Sequence, residues 1–272
     1  GITHFDLANN YGPESGAAEK NLGRILKEEM SAYRDELIIT TKAGYGMWDG
    51  PYGDGGSRKY LLASLDQSLE RMGLDYVDIF YHHRMDPETQ LEETMGALAQ
   101  AVKSGKALYV GLSNYDGETM AKASAILDDL KVPFIINQNS YSILNRTIEY
   151  NGLKDKSAEL GKGIVAFSPL DQGVLTDRYL NGIPKDSRVN TDGRFLQASS
   201  LTEERMNKVR ALNEIAKERN QTLAEMALSW ILKDGIVTTV LAGASKTSQI
   251  LDNIKAVENT DFSDEEIKKI ND

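Results

Sequence analysis

The chain has 272 residues, with 31 Lys and Arg against 41 Asp and Glu, so its formal net charge is −10. A balance this acidic disfavours general nucleic-acid binding and docking to an anionic membrane surface. The sequence contains no cysteine, which excludes disulfides, thiolate metal sites and a cysteine nucleophile and fits a reducing, cytoplasmic setting. No apolar run approaches the roughly 20 residues that span a bilayer, and no signal-peptide pattern is visible.

Short β-rich runs alternate with long helical patterns along the chain. The short runs are rich in Val, Ile, Tyr and Phe and mostly lack polar alternation, which is typical of parallel strands buried on both faces. We predict seven strands, at Ile2–Leu7, Leu37–Thr41, Tyr76–Tyr81, Ala107–Leu112, Phe134–Gln138, Ile164–Ser168 and Val237–Ala242.

The helical stretches carry start and stop signals. Thr222 with Glu225, and Ser263 with Glu266, have the spacing of capping boxes, and glycines follow several helices. We predict helices at Ser15–Glu29, Arg58–Met72, Pro87–Ser104, Gly117–Asp129, Leu153–Leu160, Thr202–Arg219, Leu223–Lys233 and Lys246–Val257.

This alternation predicts an α/β protein with a parallel sheet. Seven strands and this length fit a (β/α)8 TIM barrel whose first βα unit is missing. The chain begins at Gly1 and enters a strand almost at once, so we expect residues 1–272 to be a single barrel domain truncated at its N-terminus. The alternative is an open doubly wound sheet, which would normally carry G-x-G-x-x-G after its first strand. No such match is present, and no Walker A pattern appears.

Two connections are longer than usual. Ala43–Ser57 and Asp171–Leu201 are rich in glycine, and each follows a predicted strand. Since the active site of a barrel lies at the carboxyl ends of its strands, we expect these loops to form lids or pocket walls. The alternative is that they are tolerated surface insertions.

Polar residues follow the predicted strands. Asp6 ends the first strand and Tyr11 lies in the loop after it, Lys42 follows the second, and His82 and His83 follow the third. Because the carboxyl ends of parallel strands meet at one rim, we expect these groups to lie together. Residues of the same kind follow the next two strands, at Ser113, Asn114 and Gln138.

This set suits proton delivery to a carbonyl group. A free phenol is a poor acid near pH 7, but a buried ammonium beside Tyr11 would lower its pKa, and a carboxylate would hold that ammonium in place. An imidazole on the next strand can orient a carbonyl oxygen. Strand alternation puts His82 and His83 on opposite faces and does not choose between them. The accompanying hydride must come from a cofactor.

Five motifs resemble those of the aldo-keto reductase superfamily, and together they extend over essentially the whole chain. The first of these motifs in the chain is Phe5-Asp-Leu-Ala-Asn-Asn-Tyr-Gly12. The others are Ile39-Thr-Thr-Lys42, Asp78-Ile-Phe-Tyr-His-His-Arg-Met-Asp86, Val110-Gly-Leu-Ser-Asn-Tyr115 and Ala242-Gly-Ala-Ser-Lys-Thr-Ser-Gln249. Narrower motifs resemble the bacterial L-glyceraldehyde 3-phosphate reductase group, which is related to potassium-channel β-subunit reductases. These narrower motifs include Arg178-Tyr-Leu-Asn-Gly-Ile-Pro184.

The resemblance implies a catalytic tetrad. Tyr11 would be the proton donor, Lys42 the residue that adjusts its pKa, Asp6 the partner of Lys42, and His83 rather than His82 the group that orients the carbonyl. The resemblance also implies a nicotinamide cofactor. Its nicotinamide would be held by Ser113, Asn114 and Gln138 and stacked by Phe167, its pyrophosphate held by Ser168, Pro169, Leu170, Gln172, Gly173 and Arg178, and its adenosine end held by Gly243, Ser245, Lys246, Gln249, Asp252 and Asn253.

The adenosine end also has support from the residues themselves. The Gly-Ala-Ser-Lys run lies between a strand and a helix N-terminus, where backbone N–H groups favour an anion. Lys246 adds a cation suited to a 2′-phosphate, which favours NADPH over NADH. The alternative for Ser245 is that it only caps the helix, and both roles are compatible.

Three functions are weighed. The first is an NADPH-dependent reductase of small aldehydes such as a triose phosphate or methylglyoxal, with a detoxifying role for the latter. The second is a redox-sensing or regulatory subunit that binds NADPH and turns over slowly. The third is a barrel isomerase or aldolase that uses a late phosphate site and no nicotinamide. The expected partner is a small aldehyde, with no nucleic acid and no membrane insertion, and a homo-oligomer is left open.

Overall fold

The computed structural model describes residues 2–191, 193 and 196–271, with only the backbone of Arg188. It divides into two compact units, Gly1–Asn139 with Asn151–Gly163, and Ser140–Tyr150 with Ile164–Asp272. All seven predicted strands are found among the described residues. In this described part, none of the helices combines the length and the apolar character needed to traverse a bilayer.

The first unit contains five parallel strands that follow one another in chain order. The strand bounds are His4–Asp6 (β1), Ile38–Ala43 (β2), Val77–His82 (β3), Ala107–Ser113 (β4) and Phe134–Ser140 (β5). The α-helices of this unit are Ala17–Ile25 (α1), Arg58–Met72 (α2), Leu91–Lys103 (α3), Gly117–Asp129 (α4) and Leu153–Glu159, which becomes α6 in chain order.

Local signals explain where these helices begin and end. Ser57 accepts a hydrogen bond from the backbone N–H of Tyr60 at the start of α2, and Asp116 accepts one from Thr119 at the start of α4. Helix α2 ends at Gly73, which has a φ of 66°. These are the side-chain N-caps and the left-handed glycine that free helix ends require.

The core of the first unit lies between its sheet and its helices. Buried strand residues such as Ile39 and Val110 and buried helix residues such as Leu65 and Leu98 belong to this core. Burying one such side chain stabilises the fold by about 1.5–3 kcal/mol. The strands therefore have fixed registers, and their carboxyl ends lie side by side.

The second unit contains a parallel strand pair and a larger share of helix and loop. Strand β6 (Gly163–Phe167) pairs with β7 (Val237–Val240), with Ala166 opposite Val240. The α-helices are Thr147–Tyr150 (α5), Arg188–Thr191 (α7), Glu203–Glu218 (α8), Leu223–Leu232 (α9), Thr247–Asn253 (α10) and Asp264–Asn271 (α11).

Trp230 on α9 is the largest fully buried side chain of the second unit. Its ring lies 5.5 Å from that of Tyr141. The predicted capping box of Thr222 and Glu225 forms at the start of α9. Before α11, the Ser263 hydroxyl accepts a hydrogen bond from the Glu266 backbone N–H, and the Glu266 carboxylate accepts one from the Ser263 backbone N–H. The core of this unit is thus built on α9 and the β6–β7 pair.

Several predicted boundaries differ in the structure, among them the ends of β2 and of the first helix. Strand β2 does not end at Thr41 but continues through Ala43, because Lys42 and Ala43 pair with Tyr81 and His82 of β3. The first helix is regular only to Ile25 and continues as one π-helical turn, Leu26–Met30, and a 3-10 segment, Ser31–Glu36. Lys42 therefore projects from inside a strand, which restricts its backbone more than a loop would.

Candidate active site

The four residues of the predicted tetrad all belong to the first unit and lie at neighbouring strand ends. Asp6 is the last residue of β1, Lys42 lies near the end of β2, and His83 directly follows β3. Tyr11 lies in the loop between β1 and α1. The parallel registers of β1, β2 and β3 bring their side chains to one place.

The centre of this cluster is the ion pair of Lys42 and Asp6. The two side chains are 0% and 6% exposed, and Nζ lies 2.5 Å from Oδ2. Nζ also donates to the carbonyl oxygen of Leu7 at 2.8 Å. The second carboxylate oxygen, Oδ1, accepts bonds from Thr40 Oγ1 at 3.0 Å and Gln138 Nε2 at 2.9 Å. A buried pair survives only when its remaining polar atoms are satisfied in this way.

The loop after β1 places the Tyr11 phenol beside the lysine. Tyr11 Oη lies 3.4 Å from Lys42 Nζ, and the backbone N–H of Asn9 donates to the Lys42 carbonyl at 3.0 Å. Gly12 has a φ of 120°, and a Cβ there would lie 2.7 Å from the Ala17 Cβ. The sharp turn between the tyrosine and α1 therefore requires glycine.

The two histidines have different neighbours. His83 lies edge-on to Tyr11 and Tyr45, with ring centroids 5.8 Å and 4.7 Å away. His82 is fully buried, and its Nδ1 lies 2.7 Å from the Tyr115 hydroxyl. Only His83 adjoins the phenol, which agrees with the residue that the motif selects.

Burial and charge set the protonation states of the cluster. Desolvation is the largest cause that lowers the pKa of His83, to about 3, and the charge of Lys42 lowers it further. Burial likewise lowers the pKa of Lys42, while Asp6 opposes this shift. His83 is therefore neutral near pH 7 and can donate one hydrogen bond while its other nitrogen accepts.

The pKa of Tyr11 differs from the sequence-based expectation. Burial, then the charges of Asp6 and Tyr45, raise it well above its ordinary value. The charge of Lys42 was expected to lower it, but Asp6 neutralises that charge at close range and the phenol is desolvated. In the protein alone, Tyr11 stays protonated.

Two residues predicted to bind the nicotinamide, Asn114 and Gln138, donate hydrogen bonds to residues of the tetrad. Asn114 has a φ of 57°, and its Nδ2 donates to the backbone carbonyl of His83 at 2.9 Å and to Ser113 Oγ at 3.2 Å. Ser113 lies opposite Gln138 in the pairing of β4 and β5. A non-glycine residue in the left-handed region is uncommon and marks a backbone held by its surroundings.

The predicted pyrophosphate residues lie in an irregular turn of the second unit. Phe167 ends β6, and the turn Ser168–Gly173 then contains three non-glycine residues with positive φ, at Ser168, Asp171 and Gln172. Gln172 Nε2 donates to Ser168 Oγ at 2.9 Å. Such strain is typical of loops built to hold a ligand. Arg178, from the same predicted set, forms an ion pair with Asp186 at 3.0 Å.

The predicted adenosine residues surround the start of α10. The Gln249 side-chain carbonyl accepts bonds from the backbone N–H of Ser245 at 2.9 Å and of Lys246 at 3.2 Å. The N-cap is Lys246 rather than Ser245, because α10 begins at Thr247. Asp252 forms an ion pair with Lys255 at 2.9 Å. Gly243, Ser245 and Lys246 are exposed, as are Gln249 and Asp252.

Several contributors to the site were not identified from the sequence. Thr40 holds Asp6, and the Tyr81 ring packs 5.6 Å from Lys42 Nζ. Gly111 makes room for that ring, since a Cβ there would lie 2.3 Å from it. The Tyr45 ring lies against His83, and Tyr60 donates a hydrogen bond to the Tyr45 carbonyl. Strand alternation could have found Thr40, because it shares a face with Lys42.

Comparison with known proteins agrees with the resemblance seen in the sequence motifs. The sequence matches the Aldo/keto reductase family over residues 1–272. It is 58% identical over 273 residues to the L-glyceraldehyde 3-phosphate reductase of Escherichia coli, covering 99% of this chain and 79% of the relative. It is 35% identical over 262 residues to an Arabidopsis thaliana protein named "Probable voltage-gated potassium channel subunit beta", covering 95% and 78% of the two chains.

A solved structure has the same fold. The crystal structure of a thermostable aldo-keto reductase in complex with the inhibitor epalrestat matches with a TM-score of 0.75 and 30% identity, over 100% of this chain and 82% of that one. This likeness confirms the predicted fold class, the TIM-barrel-like fold of aldo-keto reductases.

Proposed function

Since the chain belongs to the aldo/keto reductase family, we propose that it reduces small aldehydes to primary alcohols with NADPH, and that Tyr11 delivers the proton. The observation that carries this proposal is the contact of Lys42 Nζ with both Asp6 and Tyr11, beside a neutral His83. A buried phenol, ammonium, carboxylate and imidazole form a general acid with its supports and a group that can orient a carbonyl.

The proton step follows from the states of these groups. A bound reduced nicotinamide would supply the hydride that adds to the carbonyl carbon. The oxygen that becomes negative takes the proton of Tyr11 Oη, and Lys42 then stabilises the phenolate that remains. An alkoxide is a stronger base than a phenolate, so Tyr11 needs to remain protonated and well placed rather than to be a strong acid. Its raised pKa meets the first requirement.

The imidazole of His83 would hold the carbonyl oxygen during this step. Because its pKa is lowered to about 3, it is a neutral donor that does not compete with Tyr11 as a proton source near pH 7. Its ring lies edge-on to Tyr11. Asn114 fixes the His83 backbone carbonyl and so restricts where the imidazole can move.

The residues that would hold the cofactor are supported by their chemistry. Amide side chains at Asn114 and Gln138 suit a carboxamide, and the exposed Lys246 suits a 2′-phosphate. The turn at residues 168–173 provides a strained loop of the kind found at ligand sites. Charge on Lys246 favours NADPH over NADH.

The proposed substrates are short aldehydes, a triose phosphate in the first place and methylglyoxal in the second. The triose phosphate has support from the E. coli relative, whose name gives L-glyceraldehyde 3-phosphate as its substrate. A cytoplasmic location and the oligomeric state stay predictions from the sequence.

The proposal is tested by steady-state turnover of an aldehyde panel with NADPH and with NADH, on the wild type and on Tyr11→Phe. We expect aldehyde-dependent loss of NADPH absorbance, and a reduction of kcat by about 10²–10⁴-fold in the variant, the usual contribution of a general acid. Tyr33→Phe is the matched control, because Tyr33 is 57% exposed. Unchanged turnover of Tyr11→Phe would remove Tyr11 as the proton donor.

A second candidate is an NADPH-binding regulatory subunit with slow turnover, which the likeness to a protein named as a channel β subunit favours. The same experiment separates the two functions when cofactor binding is measured by fluorescence beside turnover. Tight NADPH binding with negligible turnover across the panel would favour the regulatory function.

A further inference from the structure

A fully buried carboxylate that belongs to none of the proposed catalytic or cofactor groups lies behind the catalytic lysine. Glu19 on α1 is 0% exposed. Its Oε2 accepts a bond from Arg71 Nε of α2 at 2.6 Å, and its Oε1 accepts one from Thr41 Oγ1 of β2 at 2.5 Å. A charged side chain is almost never fully buried unless it is paired, because burying an unpaired charge costs much free energy.

The contacts of Glu19 lead to both halves of the proposed acid. Thr41 immediately precedes Lys42 on β2, and strand alternation puts their side chains on opposite faces. Glu19 therefore fixes the outer face of the strand whose inner face carries the lysine. Arg71 is fixed in turn, since its second terminal nitrogen donates to Ser68 Oγ at 3.2 Å.

The same helix holds the tyrosine. Ala18, which precedes Glu19, donates its backbone N–H to the Tyr11 carbonyl at 3.1 Å. A tether from Glu19 to Thr41 thus connects the helix that holds Tyr11 to the strand that holds Lys42. The Tyr11–Lys42 distance of 3.4 Å depends on these two elements staying in register.

On this geometry we propose that Glu19 is a positioning residue for the reduction, which holds the Tyr11 loop and Lys42 in register and adds its negative charge behind the lysine. The inference rests on the proposed function, because it assigns Glu19 its role through Tyr11 and Lys42. Glu19 itself touches neither of these two side chains in the contacts of the first unit.

The charge of Glu19 acts together with others that face the lysine. It raises the pKa of Lys42, as the nearer Asp6 does more strongly, against the lowering effect of burial. The titratable and charged groups around the two residues come from β1 and its loop, from β3 and its loop, and from α2. They are His4, Asp6, Tyr11, Tyr81, His83 and Arg71.

Replacing Glu19 by Gln removes the charge and keeps the shape. Without that charge the lysine loses its proton more easily, so the pKa of Lys42 falls. We expect the pKa of Lys42 to fall by about 0.5–1 unit, less than the shift from a directly adjacent charge. Nitrogen-15 NMR of the lysine Nζ groups measures it without any turnover, and Lys42→Met identifies the signal.

Kinetics provide the second readout. The alkaline limb of kcat/KM should move to lower pH in Glu19→Gln, because Lys42 must stay charged to stabilise the phenolate that Tyr11 becomes. In the double variant Glu19→Gln/Arg71→Met the limb should return toward the wild type, since the net charge of the pair is restored to zero. A role in packing alone predicts no movement of the limb in either variant.

The matched control is Asp78→Asn. Asp78 is also a largely buried carboxylate paired with an arginine, Arg34, at 3.0 Å, and it also bonds β2, through the backbone N–H of Ile39 at 2.8 Å. Its loss should leave the pKa of Lys42 and the alkaline limb in place. An equal shift in Asp78→Asn, or no shift in a folded Glu19→Gln, would overturn the proposal.

Thr41→Val tests the tether if Glu19→Gln does not fold. It removes only the hydroxyl that binds Glu19 and keeps the ion pair with Arg71. We expect kcat to fall about tenfold, as small displacements of catalytic groups cause, with an unchanged KM for NADPH. A kcat equal to that of the wild type would overturn the proposal. The NMR readout keeps this result separate from the proposed function, which is tested by aldehyde-dependent NADPH oxidation in the wild type and by its loss in Tyr11→Phe.

Discussion

The two units differ in how their proposed site residues are held. In the first unit Lys42 is fully buried and bonded on several sides, and Asp6, Thr40 and Gln138 form one hydrogen-bonded group with it. In the second unit Lys246 and Gln249 lie exposed at the start of a seven-residue helix and bond to their own neighbours. The first arrangement is rigid before any ligand binds, whereas the second can exchange its partners.

This difference suggests a division of labour. Groups that must develop or stabilise charge in a transition state work best when they are fixed in a water-poor environment. Groups that bind the distant end of a cofactor need only complementary charge and can be solvated. Substitutions in the first unit should therefore change stability and kcat, and those in the second should change the affinity for the cofactor.

The largest effect should come from Lys42→Met. The variant leaves the Asp6 carboxylate without its partner among buried groups, which costs about 3–5 kcal/mol of the free energy of unfolding. It also removes the cation that stabilises the Tyr11 phenolate, so kcat should fall strongly as well. Urea unfolding with circular dichroism and steady-state kinetics measure the two effects.

Lys106→Met is the matched control for that variant. Lys106 pairs with Asp66 at 2.6 Å, but the side chains are 42% and 58% exposed. A surface pair of this kind contributes about 0–1 kcal/mol. If both variants lost the same stability, the contrast between a fixed and a solvated site would be wrong.

The sequence predicted the elements better than the relations between them. All seven strands were found because their apolar runs and flanking glycines are local signals. The sequence predicts that β2 ends at Thr41 because the apolar run stops before Lys42, whereas pairing with β3 continues the strand through the lysine. Whether the ladder continues depends on a partner strand some forty residues away, which local patterns do not record.

The site divides in the same way. Asp6, Tyr11, Lys42 and His83 were predicted because polar residues after apolar strands are conspicuous, and the family motif then chose between the histidines. Glu19 could not be found, because a glutamate inside a helix normally belongs to its solvated face. Only the packing of α1 against β2 and α2 shows that it is buried.

The next largest effect concerns acid. All three histidines of the sequence, His4, His82 and His83, belong to the first unit. Burial lowers the pKa of each of them, to about 4 for His82 and about 3 for His83. Below pH 6.5, which is about the pKa of histidine in the unfolded chain, the unfolded chain binds protons that the folded chain does not. Each such group then lowers the free energy of unfolding by about 1.4 kcal/mol per pH unit. Stability is therefore complete above about pH 6.5 and falls as the pH drops toward the folded values.

Hydrogen exchange at about pH 7.5 and pH 5 tests whether this loss is confined to the first unit. We expect protection at β1–β3 to fall on acidification, with β6 and β7 little affected. His82→Gln should flatten the pH dependence of unfolding by about 1–2 kcal/mol over that interval. The pKa values of the Asp86 and Glu266 carboxyls are lowered and lie below this pH interval, so these two groups do not account for the change. Earlier loss of protection in the second unit would contradict this prediction.

The smallest effect, and the sharpest test of the second unit, is Lys246→Ala. If its exposed ammonium binds a 2′-phosphate, the KM for NADPH should rise about tenfold, or about 1.4 kcal/mol, while kcat and the KM for NADH stay near the wild-type values. The difference should shrink at high ionic strength, because exposed charges are screened there. Lys208→Ala removes an exposed lysine from α8 and controls for net charge. An equal rise in KM for both cofactors would mean that Lys246 shapes the start of α10 through Gln249 and does not bind the phosphate. The second unit would then resemble the first, in that a fixed structure holds its ligand.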